Sequence, residues 1–132
     1  GQVSTAISHI RDIAPTLYSY AKHAANSGAK PVTGKSLTSV LSGEQKQVRT
    51  ESDFIGIELF GNKSLRAGDY KIRFLIPPFG APGWAMFNIA NDIAEKTDLA
   101  TKEPEQFTKM MGYWKQYVVE NGVIEVPLVA PQ

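Results

Sequence analysis

Residues 54–76 read FIGIELFGNKSLRAGDYKIRFLI. Three short runs rich in aromatic and β-branched residues are separated by Gly61-Asn62 and Gly68-Asp69, both of which supply turn chemistry. In the third run Tyr70, Ile72, Phe74 and Ile76 alternate with Lys71 and Arg73. That period of two belongs to an antiparallel strand with one apolar and one wet face. Downstream, PPFGAPG (77–83) is too rich in Pro and Gly to be anything but a loop, and WAMFNIA (84–90) is a fourth run of the same kind. The four runs predict an antiparallel meander.

Such a sheet needs a cover for its apolar face. The pattern supplies one from about Glu103 to Asn121, where Phe107, Met110, Met111, Trp114 and Val118 share a helical face. Pro104 suits the first turn, Glu103 and Glu105 suit the positive end of the dipole, and Gly122 ends the run. Upstream, Asp12 is a candidate N-cap with Pro15 in the first turn, and Ile13, Leu17, Tyr20 and Ala24 make one apolar stripe that stops near Gly28. Ser42 to Ser52 is polar and reads as an exposed connection. The expected fold is therefore α+β: a four-stranded antiparallel β-sheet meander packed against a C-terminal α-helix, with an N-terminal helix. Residues 1–52 would form the leading helix and connecting loop, and residues 53–132 the sheet-plus-helix domain.

The bulk numbers narrow the function classes. Hydrophobic residues are 42% of the 132 and charged residues 20%, the balance of a globular chain rather than a disordered one. Fourteen Lys plus Arg against thirteen Asp plus Glu leave a net charge of +1, which gives no reason to expect a nucleic-acid or membrane-surface partner. No apolar run is long enough to cross a bilayer. Cys is absent, which excludes disulfides, thiolate metal sites and a cysteine nucleophile.

Several stretches mimic sites. Gly34-Lys35-Ser36 resembles the end of a phosphate-binding loop, but Gly28 lies one residue too far upstream for the motif. Pro31 also removes an amide where every N–H should face phosphate. Asn91, Asp92, Glu95 and Asp98 put four oxygen donors in a short span, yet without the alternation and central Gly of a calcium loop, so capping side chains of a turn are expected. His9 and His23 lack partners for a metal site or a triad. Phe79 within the Pro/Gly-rich loop and Trp84 just after it could form a substrate rim; the rival reading makes the loop a stiff hairpin connection with Trp84 in the core. Glu58, Arg66 and Lys71 lie on neighbouring strands and could form a charged cross-strand cluster facing another domain, or the solvated face of the sheet.

IELFGNKSLRAGDYKIRFL, WAMFNIANDIAEKTDLA and EPEQFTKMMGYWKQYVVENGV resemble, in this order, the C-terminal part of bacterial arylsulfatases. HIRDIAPTLYSYA resembles the helix that follows the last active-site segment of that family, and TGKSLTSVLSG its loop leading out of the large domain. One departure is Ile93-Ala94, where the family usually has Pro-Gly. The resemblance implies a parent enzyme whose large α/β domain hydrolyses sulfuric esters with a formylglycine and a calcium ion. None of that machinery maps here. No Ser is followed by Pro two on and Arg four on, and the metal-binding Asp-Asp and Asp-Asn pairs are missing. The expectation is a sulfatase fragment without catalytic residues and with no cofactor of its own. Its partner would be the large catalytic domain of the parent or, for the fragment alone, a second copy. The resemblance to bacterial enzymes inclines the compartment towards the periplasm. An independent module binding carbohydrate or peptide through Phe79, Trp84 and the sheet face is the alternative.

Overall fold

The computed structural model describes residues 3–23 and 31–124. The chain divides into two compact units, residues 1–50 and 51–132.

In the second unit, β1 (Phe54–Leu59), β2 (Asn62–Ala67), β3 (Tyr70–Leu75) and β4 (Gly83–Asn88) form one antiparallel sheet in the order β1-β2-β3-β4, and α3 (Pro104–Asn121) follows. The meander and its covering helix stand as the period of the sequence requires. The register explains the packing. Leu65, Ile72 and Met86 fall in one cross-strand row with Gly56, and all three side chains are fully buried. Met110 and Trp114 of α3 close over that row, with Phe107, Met111, Tyr113, Tyr117 and Val118 packed around them. Each such burial contributes about 1.5–3 kcal/mol gross. Gly56 lets the helix come down on the edge strand: a Cβ there would stand 2.5 Å from the Tyr117 ring. Trp114 extends the contact through Trp84 and Tyr117, at centroid distances of 5.2 and 5.3 Å. Gly122 turns the chain out of α3 at φ 61°, as a helix-terminating glycine does.

The first unit is built the other way round. A 3-10 turn (Ile10–Asp12) runs into α1 (Ile13–Tyr20), and a single helical turn, α2 (Thr38–Leu41), lies against it. The helix is shorter than its apolar stripe suggests. Lys22 adopts φ 52° and the His23 N–H donates to the Tyr18 carbonyl, which closes the end at Tyr20. Ala24 and Gly28, expected to extend and stop the helix, lie outside the described residues. Ile13, Leu17 and Tyr20 are all more than half exposed, while Asp12 and Thr16 are buried. Asp12 caps nothing in α1. The segment 42–52, expected to be an exposed connection, contains Arg49, which is buried.

Candidate functional site

The polar centre of the first unit comes from three separated segments. Arg49 grips Asp12 with both ends of its guanidinium: Nη2 to Oδ1 at 2.6 Å and Nη1 to Oδ2 at 2.7 Å. Asp12 also accepts from the backbone N–H of His9 at 2.7 Å and of Lys35 at 2.9 Å, and Arg49 donates to the Ile7 carbonyl. Burial by itself would raise the Asp12 pKa. The Arg49 hydrogen bonds and the two amides outweigh it, and the carboxyl is lowered to about 2. The Gly34-Lys35-Ser36 stretch is explained here. A Cβ on Gly34 would stand 2.0 Å from the Arg11 carbonyl oxygen, so only glycine fits. The next amides serve α1: Lys35 donates to Asp12, and Leu37 donates to the Thr16 hydroxyl at 2.9 Å. The stretch is a packed seam against residues 11–16. His9 is spent locally, its Nδ1 accepting from the Arg11 N–H.

On the sheet, the register separates the three charged residues expected to act together. Glu58 pairs with Lys63 in the row of Phe74 and Trp84, on the side that faces α3. Arg66 and Lys71 pair with each other on the opposite side. Glu58 accepts from the Gly61 N–H, and Arg66 Nε donates to the Gly68 carbonyl. Lys71 forms an ion pair with Glu95. Arg73 Nε lies 3.1 Å from the second Glu95 oxygen without hydrogen-bond geometry, and its guanidinium stacks 4.8 Å from the Phe87 ring. The face expected to be wet is thus partly covered by the 89–99 segment.

That segment shows where its acidic side chains go. Asp92 accepts from the Lys96 and Thr97 amides, and Asp98 from those of Met86 and Ala100. Asn88 takes the Asn91 and Asp92 amides on its carbonyl, so the turn forms with Ile93-Ala94 in place of Pro-Gly. Among the described residues no group of three or more His, Asp or Glu side chains could hold a metal ion. One oxygen each of Asp92 and Asp98 serves backbone amides and Glu95 serves Lys71, the work of a turn rather than of a calcium loop.

The loop between β3 and β4 carries Phe79, 70% exposed, beside a cleft of about 170 Å³ with Arg73, Leu75 and Gly80 in its walls. Trp84 stands instead within the aromatic stack, 5.6 Å from Phe74. A wider, shallow depression of about 620 Å³ lies at the start of α3, between Tyr70, Glu103 and Lys109. Sequence reasoning missed it. The Tyr70 hydroxyl donates to Glu103 at 2.8 Å, and that bond, aided by burial, raises the phenol pKa above its usual value. Tyr70 is therefore kept protonated, as a donor and not as a base.

No family model matches the chain. It is 32% identical over 82 residues to an uncharacterized sulfatase of Schizosaccharomyces pombe, a match that covers 62% of this chain and 15% of the yeast protein. Among solved structures it resembles a protein in complex with its substrate D-glucosamine-2-N,6-O-disulfate, with TM-score 0.61 at 18% identity, covering 81% of this chain and 23% of that one. It also resembles a protein described with the metabolism of multiple glycosaminoglycans by Bacteroides thetaiotaomicron, with TM-score 0.65 at 17% identity, covering 80% and 24%. A third is Ps i-CgsB in complex with k-i-k-neocarrahexaose, with TM-score 0.61 at 19% identity, covering 80% and 23%. At such identities these likenesses concern the fold. The chain spans less than a quarter of the length of each of these four proteins.

Proposed function

We infer that this sulfatase-related chain, which matches part of sulfatase chains, is the C-terminal portion of such an enzyme and supplies structure rather than chemistry to sulfuric ester hydrolysis. The observation that carries the reading is the reversed packing of α1. Ile13, Leu17 and Tyr20 face outward over a buried Asp12–Arg49 pair. A helix with its apolar side in water is a surface awaiting a cover, and contiguous patches of that kind mark docking sites. The cover is the large catalytic domain of the parent, which would also hold the formylglycine and the calcium ion. Of the three charged residues expected at an interdomain contact, Arg66 and Lys71 share a face of the sheet and would form a contact of their own with that domain, while Glu58 lies on the α3 side and would not join it.

Phe79 would wall one side of the substrate cleft; its exposure on a loop held by a rigid sheet supports that reading. The sequence resemblance favours an aryl sulfate as the substrate. The sugars bound to two of the structural relatives favour a sulfated carbohydrate. Comparing p-nitrophenyl sulfate with a sulfated disaccharide on the parent enzyme separates the two. Produced alone, the 132-residue chain would cover its α1 face with a second copy, since a two-fold axis buries one patch against its equal.

The test of the main reading is hydrolysis of p-nitrophenyl sulfate by the purified chain with calcium, beside the full gene product. The expected result is turnover by the full product and none above buffer by the chain, because loss of the nucleophile alone costs many orders of magnitude. Turnover that follows the chain through two orthogonal purifications would overturn it.

A further inference from the structure

Resting on that sulfatase reading, we propose that the tip of the β1–β2 hairpin, Ile57, Leu59 and Phe60, is a second surface on which the remainder of the parent chain docks. It is separate from the α1 face. The two-residue turn is Phe60-Gly61, with φ 50° and 82°. Positive φ at both positions is the mirror-image hairpin turn, which favours Asn-Gly. A bulky residue in the left-handed region is strained, and the strain is retained only where something else benefits. Within its own unit Phe60 gains nothing that could offset it: the ring is 85% exposed.

The two side chains leading into the turn repeat the pattern. Ile57 pairs with Ser64 and Leu59 with Asn62, rows that face away from α3, and both are more than half exposed. The α3 side of the same strand is filled by Phe54 against Tyr113 and by Tyr117 over Gly56. β1 is also an edge strand, so its outer row of backbone groups meets no other described strand. Edges are ordinarily blunted by charge, Pro or a bulge. The outward side chains from Ile57 to the tip are apolar instead.

Length points to the occupant. The matched relatives carry more than three quarters of their chains outside the part that this chain covers. That remainder is covalently tied to this chain in any sulfatase, so its effective concentration at the hairpin is high. It would offer an apolar socket for Phe60 flanked by groups that pair with the β1 edge.

The experiment compares Phe60→Asn in the 132-residue chain and in the full gene product, by calorimetric melting and light scattering. Asn relieves the turn strain, so the melting temperature of the isolated chain is expected to hold or rise. In the full product the socket is emptied, and the transition containing this domain is expected to fall by about 2–4 °C. Ile57→Thr, which keeps strand propensity, should show the same split. A fall of equal size in both proteins would make Phe60 a structural residue of the hairpin and overturn the proposal. So would no change in the full product, or an isolated chain that is a dimer and becomes monomeric with Phe60→Asn. A gene product no longer than these 132 residues would overturn the sulfatase reading itself, and the docking surface with it.

Discussion

The two units bury opposite kinds of residue. In residues 51–132 the inside is Leu65, Ile72, Met86, Met110 and Trp114, closed by a helix whose apolar stripe faces the sheet. In residues 1–50 the inside is Asp12, Thr16 and Arg49, and the apolar stripe of α1 faces out. The sheet unit carries a hydrophobic driving force in its own buried cluster. The helical unit is held by hydrogen bonds to charged groups, which fix geometry well but contribute little net stability once desolvation is counted. The contrast is between a unit with an apolar core of its own and one whose described interior is polar and whose helix exposes its apolar side chains.

Two substitutions of similar and large effect sharpen this contrast because each is expected to strike one unit only. Trp114→Ala empties a buried aromatic site and should cost the sheet unit about 3–5 kcal/mol in urea melts. A loss below about 1 kcal/mol would mean that α3 packs by another face. Both tryptophans, Trp84 and Trp114, lie in the sheet unit, so residual fluorescence from Trp84 follows that unit alone. Arg49→Ala leaves the Asp12 carboxylate buried without its cation and should cost the helical unit about 3–5 kcal/mol, with the tryptophan transition unmoved. A shift of the tryptophan transition by Arg49→Ala would break the comparison, because the two units would then unfold as one.

Acid gives a smaller effect with a definite sign. The Asp12 carboxyl is lowered from 3.8 to about 2 in the folded chain. Its contribution is therefore fully present above the unfolded value and is lost as the pH falls through that value towards about 2. The size is about 2 kcal/mol. Amide signals of α1 followed by NMR should broaden or exchange faster over that window, ahead of those of Ile72 and Met86. Signals of α1 that hold through the window, or that fade only together with the sheet signals, would show that the pair does not support the helix.

The sheet was legible because its information is local. Alternation in 70–75, the turn residues Gly68-Asp69 and the helical spacing of 107–118 each sit within a dozen positions, whereas the first turn falls at Phe60-Gly61, one residue before the Gly61-Asn62 that the composition indicated. The helical unit was not. Asp12 before a proline-containing helix looks like an N-cap, and Arg49 between Val48 and Thr50 carries no period. Only a fold that brings residues 12, 35 and 49 together gives them a role, and no pattern in one sequence encodes such a contact. The apolar stripe of α1 was read correctly as a stripe, but period alone does not say which side of a helix is the inside. The same limit split Glu58 from Arg66 and Lys71: neighbouring strands were foreseen, the register that assigns each residue to a face was not. Phe60 went unremarked because its oddity is a backbone angle. Its place beside Gly61 in a two-residue turn was the available signal.

Hydrogen exchange read by mass spectrometry, on the 132-residue chain and on the full gene product side by side, tests the central claim most directly. The account predicts that peptides from β2, β3, β4 and α3 exchange equally slowly in both, because their core is complete within this chain. Peptides from α1 should exchange at least about tenfold more slowly in the full product than in the 132-residue chain diluted until it is monomeric, where the face of Ile13, Leu17 and Tyr20 has no cover. Equal protection of α1 in the two proteins, with the isolated chain a strict monomer, would contradict it.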